Sequence, residues 1–238
     1  MVTQIEFGGI PVDVVRKDIK HVHLSVHPPT GKVRISAPER MDLNTIRAFA
    51  ASKLGWIKRH QVVMREQERE TPREFLERES HYVWGRRYLL TFKDAGEKAS
   101  VELRHNRLVL GVKADASLER KRSVLNAWYR QQVHAAVPPL VDRWGALLGV
   151  NAERFFVQHM KTRWGSCNHA ARTIRLNTEL AKKPPVCLEY LVAHEMVHLI
   201  EPTHGPRFLE LMDRFMPKWQ HYRDELNRLP VRHEDWAY

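Results

Sequence analysis

One segment restricts the fold more than any other: "KKPPVCLEYLVAHEMVHLIEP", from Lys182 to Pro202. Pro184 and Pro185 stand where a helix begins, because the first helical positions need no backbone donor. Leu188, Val192, Met196 and Leu199 recur at helical spacing as a stripe for burial, and Pro202 stops the run. A helix this apolar must be packed inside a domain. It also carries chemistry, because residues 194–198 read His-Glu-Met-Val-His. Histidines four apart on a helix project from one side and reach one tetrahedral cation.

Each residue type has a reason. Neutral imidazoles bind zinc without cancelling its charge, so the ion stays a good Lewis acid. Glu195 lies on the flank of that side, from where it reaches a polarised water rather than the ion. With 14 histidines in 238 residues, chance alone produces H-E-x-x-H in about 6% of shuffled chains. Requiring a histidine at 204 as well lowers this to roughly 0.4%, so a third ligand there makes coincidence a poor account. His194, His198 and His204 are therefore the expected ligands of one zinc ion per chain, and Glu195 the expected catalytic base. The spacing matches the metzincin pattern H-E-x-x-H-x-x-G-x-x-H, but Glu201 stands where that pattern has glycine. The turn must be made differently, with Pro202 fixing it. Glu201 as a ligand ranks below His204.

The rest of the chain reads as α+β, strands first and helices packed on them later. "IPVDVV", "HVHLSV" and "KVRISAP" alternate like strands, and a helix is expected from Leu43 to Met64. Residues 65–80 are highly charged and read as a solvated helix end or linker. A second strand group follows in "HYVWGRRYLLTF" and "ASVELRHNRLVLGV". A helix is expected over Ser117–Ala136, broken by Pro138 and Pro139, with another running on to Leu148. "RFFVQHM" and "TIRLNTEL" read as strands joined through "KTRWGSCNHAAR". The expected division is 1–80, strands plus a long helix, and 81–238, the catalytic domain.

No apolar stretch approaches the roughly 18–20 residues of a membrane span. With Cys167 and Cys187 the only cysteines, a disulfide framework is not expected and a cytoplasmic setting is. The net charge of +11 favours anionic partners, nucleic acid included, but the cations are scattered. The alternative expectation is a basic nucleic-acid-associated protein in which zinc is auxiliary. Three histidines without a fourth protein ligand speak against a purely structural ion.

"TRWGSCN", "TIRLNTEL" and "YLVAHEMVHLIEPTHGPRFLELM" together resemble the YgjP-like predicted metallopeptidases of the zincin group, related to SprT-like proteins. Arg163-Trp164-Gly165-Ser166-Cys167, then His194, Glu195, His198, His204 and Phe208, carry the resemblance, and "VRISAP" and "KLGWIKRH" extend it. It implies a zincin-like catalytic domain, its active-site helix packed on an antiparallel or mixed sheet, and a peptide or protein substrate. The SprT-like relatives add the hybrid of a protease acting on DNA-bound proteins. Arg163 and Trp164 are the candidate substrate-binding residues, with Arg163 placed for a substrate carbonyl or oxyanion. Equally open is a structural turn, with Gly165 bending the chain and Trp164 filling core. Tyr190 is a candidate support for His194, and His159, His169 and His221 stand outside the expected site.

Overall fold

The architecture is that of a computed structural model, which describes residues 2–27, 31–66, 73–96, 98–160 and 163–228. It divides into two compact units, Met1–Glu68 and Arg69–Tyr238. The division thus falls twelve residues before the boundary expected from sequence. Residues 67–72, in the expected linker, lie outside the described residues.

The first unit is a four-stranded sheet covered on one face by two helices. Its strands are β1 (Val2–Phe7), β2 (Ile10–Lys17), β3 (His23–His27) and β4 (Lys32–Pro38), ordered β1-β2-β4-β3. Only β2 and β4 run parallel. Alternation sends Val12, Val14, Val33 and Ile35 inward, where they meet Ile46, Ala50 and Ile57. Those three sit on α1 (Leu43–Ser52) and α2 (Leu54–Glu66). The single helix expected over 43–64 is therefore two. Asp42 caps α1 by accepting from Asn44 N and Thr45 N at 2.9 Å, and the helix ends at Lys53. The Lys53 carbonyl then starts α2 by accepting from Ile57 N. Apolar spacing hides this break, because 46, 50 and 57 remain on a helical stripe across it.

The second unit begins with another four-stranded sheet. It consists of β5 (Ser80–Val83), β6 (Arg86–Asp94), β7 (Ser100–Arg104) and β8 (Arg107–Val112), ordered β5-β6-β8-β7. Helix α3 follows, Leu118–Leu148, unbroken over 31 residues. The break expected at Pro138 and Pro139 does not occur. Both prolines are exposed, and so are His134 and Ala135, whose carbonyls lose a helical partner to them. Solvent replaces the missing donors. Meanwhile Leu125, Tyr129, Val133, Val137 and Trp144 hold the helix down at core spacing.

The site rests on a three-stranded mixed sheet of β9 (Arg154–Gln158), β10 (Gly165–Asn168) and β11 (Thr173–Asn177), ordered β10-β11-β9. β11 pairs antiparallel with β10 and parallel with β9. The segment read as a connector thus contributes an edge strand. Helix α4 (Pro185–Val197) packs on it, followed by α5 (Pro206–Phe215) and α6 (Trp219–Arg228). Nearly all of α4 is buried, as its composition requires. It ends at Val197, a turn before Pro202, where the backbone bonds tighten to the i→i−3 pattern, Leu199 N to Met196 O and Ile200 N to Val197 O. The fold is α+β, with the motif helix packed on a mixed sheet and a β-rich unit before it.

Candidate metal centre

Core burial of Leu188, Val192 and Met196 orients α4 so that His194 and His198 emerge on the side facing β10. The chain then turns through 198–205 and brings His204 back. His204 Nε2 lies 3.1 Å from His194 Nε2 and 3.1 Å from His198 Nε2. A tetrahedral ion with Zn–N bonds of about 2.0–2.1 Å holds its nitrogens about 3.3 Å apart, so the donors are spaced for one zinc-sized ion. Among the described residues these three histidines form the sole His/Cys/Asp/Glu group close enough to share an ion.

The surroundings fix the imidazoles' state. His198 Nδ1 donates to the Glu201 carbonyl at 3.0 Å, which leaves Nε2 as the lone-pair nitrogen. Burial, then the neighbouring His198 and His204, press the His194 pKa down to about 3. Burial also lowers His198, against the opposing pull of the Glu201 carbonyl. Both rings are therefore neutral near pH 7, the form in which an imidazole can bind a metal. Tyr190 Oη stands 3.5 Å from His194 Nδ1. Phe208, buried under the cluster, touches all three rings with centroids 4.7–5.0 Å away.

Glu201 settles how the turn manages without glycine. Its carboxylate accepts from Thr203 N at 3.1 Å and Thr203 Oγ1 at 2.7 Å. The side chain thus ties off the loop while its backbone carbonyl orients His198, and it is not part of the histidine group.

Glu195 is 4% exposed. Burial pushes its carboxyl up to about 8, with the Arg163 charge opposing. It points at β10: a Cβ on Gly165 would lie 2.5 Å from Glu195 Oε1. A cleft of about 380 Å³ opens here, lined by Arg163, Gly165, Cys167 and His169 on one side and the three histidines on the other. Arg163 thus stands at the cleft beside Glu195. Trp164 does not line it; the ring is half-buried against the core, with Lys183 Nζ 5.6 Å from its centroid. His169, set aside in the sequence, lines the cleft, whereas His159 and His221 do not.

Sequence reasoning also missed Asn177. This buried residue donates from Nδ2 to the Met160 carbonyl at 2.7 Å and the Arg163 carbonyl at 2.8 Å. Its backbone N donates to Trp164 O at 2.8 Å. One carboxamide therefore ties the Met160 and Arg163 carbonyls together. The signal was a polar residue ending an apolar strand, which reads equally well as a cap.

A family model for the YgjP-like metallopeptidase domain matches residues 20–229. The chain belongs to the YgjP-like family. It is a metallopeptidase by that membership, and His194, His198 and His204 form a cluster that could hold a metal ion. None of the curated proteins matches the chain. Among solved structures it is similar to the metallopeptidase zymogen of Pyrococcus abyssi abylysin, at 20% identity over 40% of this chain and 99% of that one, TM-score 0.36. It is also similar to the zymogen of Methanocaldococcus jannaschii jannalysin, at 19% identity over 37% and 90%, TM-score 0.34. No described helix is long and apolar enough to cross a membrane.

Proposed function

We propose that this YgjP-like protein is a zinc-dependent peptidase in which His194, His198 and His204 hold the ion and Glu195 is the general base. The observation that carries the reading is the meeting of three Nε2 atoms beside one buried carboxyl at the floor of an open cleft. Three protein ligands leave a coordination position free, as catalytic zinc requires and structural zinc does not.

Bound zinc supplies Lewis acidity to the attacking water and the scissile carbonyl. Glu195 accepts a proton from that water and hands it to the leaving amine. Arg163 donates to the carbonyl oxygen as negative charge develops there. Among the described residues strand β10 pairs with β11 alone, and its Gly165, Ser166 and Cys167 line the cleft. A peptide substrate fits as an added strand along the other edge of β10, its main chain bonded to that strand and its scissile bond over the histidines. The two free thiols suit a reducing, cytoplasmic setting.

Glu195→Gln tests the assignment. The variant keeps its metal while turnover of a quenched fluorescent peptide library falls by about 10²–10⁴-fold. Unchanged turnover by a metal-loaded variant contradicts the role of Glu195.

A further inference from the structure

The first unit carries a charged surface that the hydrolytic reading does not use. Between Leu43 and Val62 there are four cations, Arg47, Lys53, Lys58 and Arg59, and no acidic residue. All four are exposed, and none has a carboxylate partner among the described residues. On the sheet of the same unit, by contrast, Lys32 is paired with Asp13 at 2.9 Å. Asp42, the nearest acid before the run, is engaged as the cap of α1.

Helical spacing gathers these cations. On α1, positions 44, 47, 48 and 51 form the outer stripe; on α2, 55, 58, 59 and 62 do so, with Lys53 at the joint. The inner stripes, through Ile46, Ala50 and Ile57, are sealed in the core of the unit. Between the cations the outer stripes hold small exposed residues: Ala48, Ala51, Ser52 and Gly55. The charges therefore rise from a low floor, so a rigid polyanion can come close to the helices.

We propose that the outer face of α1 and α2 is a docking surface for double-helical nucleic acid, held through its phosphates. Cations with no carboxylate partner among the described residues release counterions on meeting phosphate. Insertion into a membrane does not fit, because the apolar stripes are spent on the core and Val62 is the one large apolar residue of the outer stripes. Single strands fit less well than a duplex. Trp56 is half-buried and stacked on His60, with centroids 3.8 Å apart, so that face of the indole is not open to an unstacked base. Contacts to phosphates alone position a duplex without reading its sequence.

The test measures binding of the full chain to a labelled DNA duplex of scrambled sequence, by fluorescence anisotropy over a range of salt. Three proteins are compared: the unaltered chain, a variant with Arg47, Lys53, Lys58 and Arg59 all replaced by Gln, and a control. The control replaces Arg86, Arg87, Arg107 and Lys113 of the second unit by Gln, removing the same charge. The expected result is salt-dependent binding by the unaltered chain and the control. The helix variant loses about 3–4 from the log–log salt slope and at least roughly tenfold in affinity at moderate salt. Circular dichroism confirms that it is folded. Equal losses in both variants mean bulk charge and overturn the proposal. So does absence of duplex binding at low salt, preference for a single strand of the same length, or binding to phosphatidylserine vesicles in place of DNA. None of these readings depends on peptidase activity, so failure of the hydrolytic reading leaves this one standing, and the reverse.

Discussion

Glycine at position 165 is dictated by its neighbour across the cleft. Any side chain there begins 2.5 Å from Glu195 Oε1 and 3.1 Å from the Arg175 carbonyl. The carboxyl then has to swing away from the metal side. Gly165→Ala is accordingly expected to keep its metal, measured by elemental analysis, while peptide turnover falls by tenfold or more. Retained turnover with retained metal contradicts this placing of Glu195. The same contact shows why Arg163-Trp164-Gly165-Ser166-Cys167 was open to two readings. Arg163 and Gly165 line the cleft, while Trp164 packs against the core; substrate binding by Arg163 belongs to the proposed function. Which side chain points where depends on the strand register of β10, Gly165↔Leu176 to Asn168↔Thr173, and no local pattern announced that strand.

At the scale of elements, local signals decide boundaries that periodicity alone misplaces. Asp42 makes its cap with an ionised carboxylate, held below its usual pKa by the Thr45 hydroxyl first and by the amides of Thr45 and Asn44 next. A depressed pKa contributes stability that is present above the ordinary value near 3.9 and is lost as pH falls through the folded one. Asp42→Ala is therefore expected to lower the unfolding temperature at neutral pH, with the gap to the unaltered protein closing below about pH 4. A gap independent of pH contradicts the ionised cap. Helix α3 makes the opposite point. Pro138 and Pro139 look like a stop, yet the buried residues on both sides of them outweigh the lost hydrogen bonds. Pro139→Ala restores one donor at an exposed site and is expected to stabilise the protein by on the order of 1 kcal/mol in a urea titration. Destabilisation contradicts the view that packing, not proline, sets this helix. The motif helix was legible because its apolar stripe, opening prolines and histidine spacing agree with one another. Its end was not legible, because the backbone bonds of Leu199 and Ile200 tighten to the i→i−3 pattern before Pro202 is reached. That His204 joins the other two histidines was legible from spacing alone; the turn that brings it there involves Glu201 and Thr203, a pairing that spacing does not reveal.

The whole molecule has two separate cores. One is built on Val12, Val33, Ile35 and Ile46, the other on α3, α4 and the mixed sheet. Every group in the proposed hydrolytic chemistry lies in the second unit, and the proposed duplex surface lies wholly in the first. The net charge of +11 therefore does not have to be explained by the peptidase site, whose cleft mixes Arg163 with Glu195. The central claim is that three histidines, with an open fourth position, hold zinc in the second unit. Its most direct test is elemental analysis of the purified full chain after zinc is supplied and the excess removed, beside His204→Ala. The account predicts about one zinc per chain in the unaltered protein and its loss in the variant. A chain that retains no metal, or a variant that retains it in full, contradicts the account.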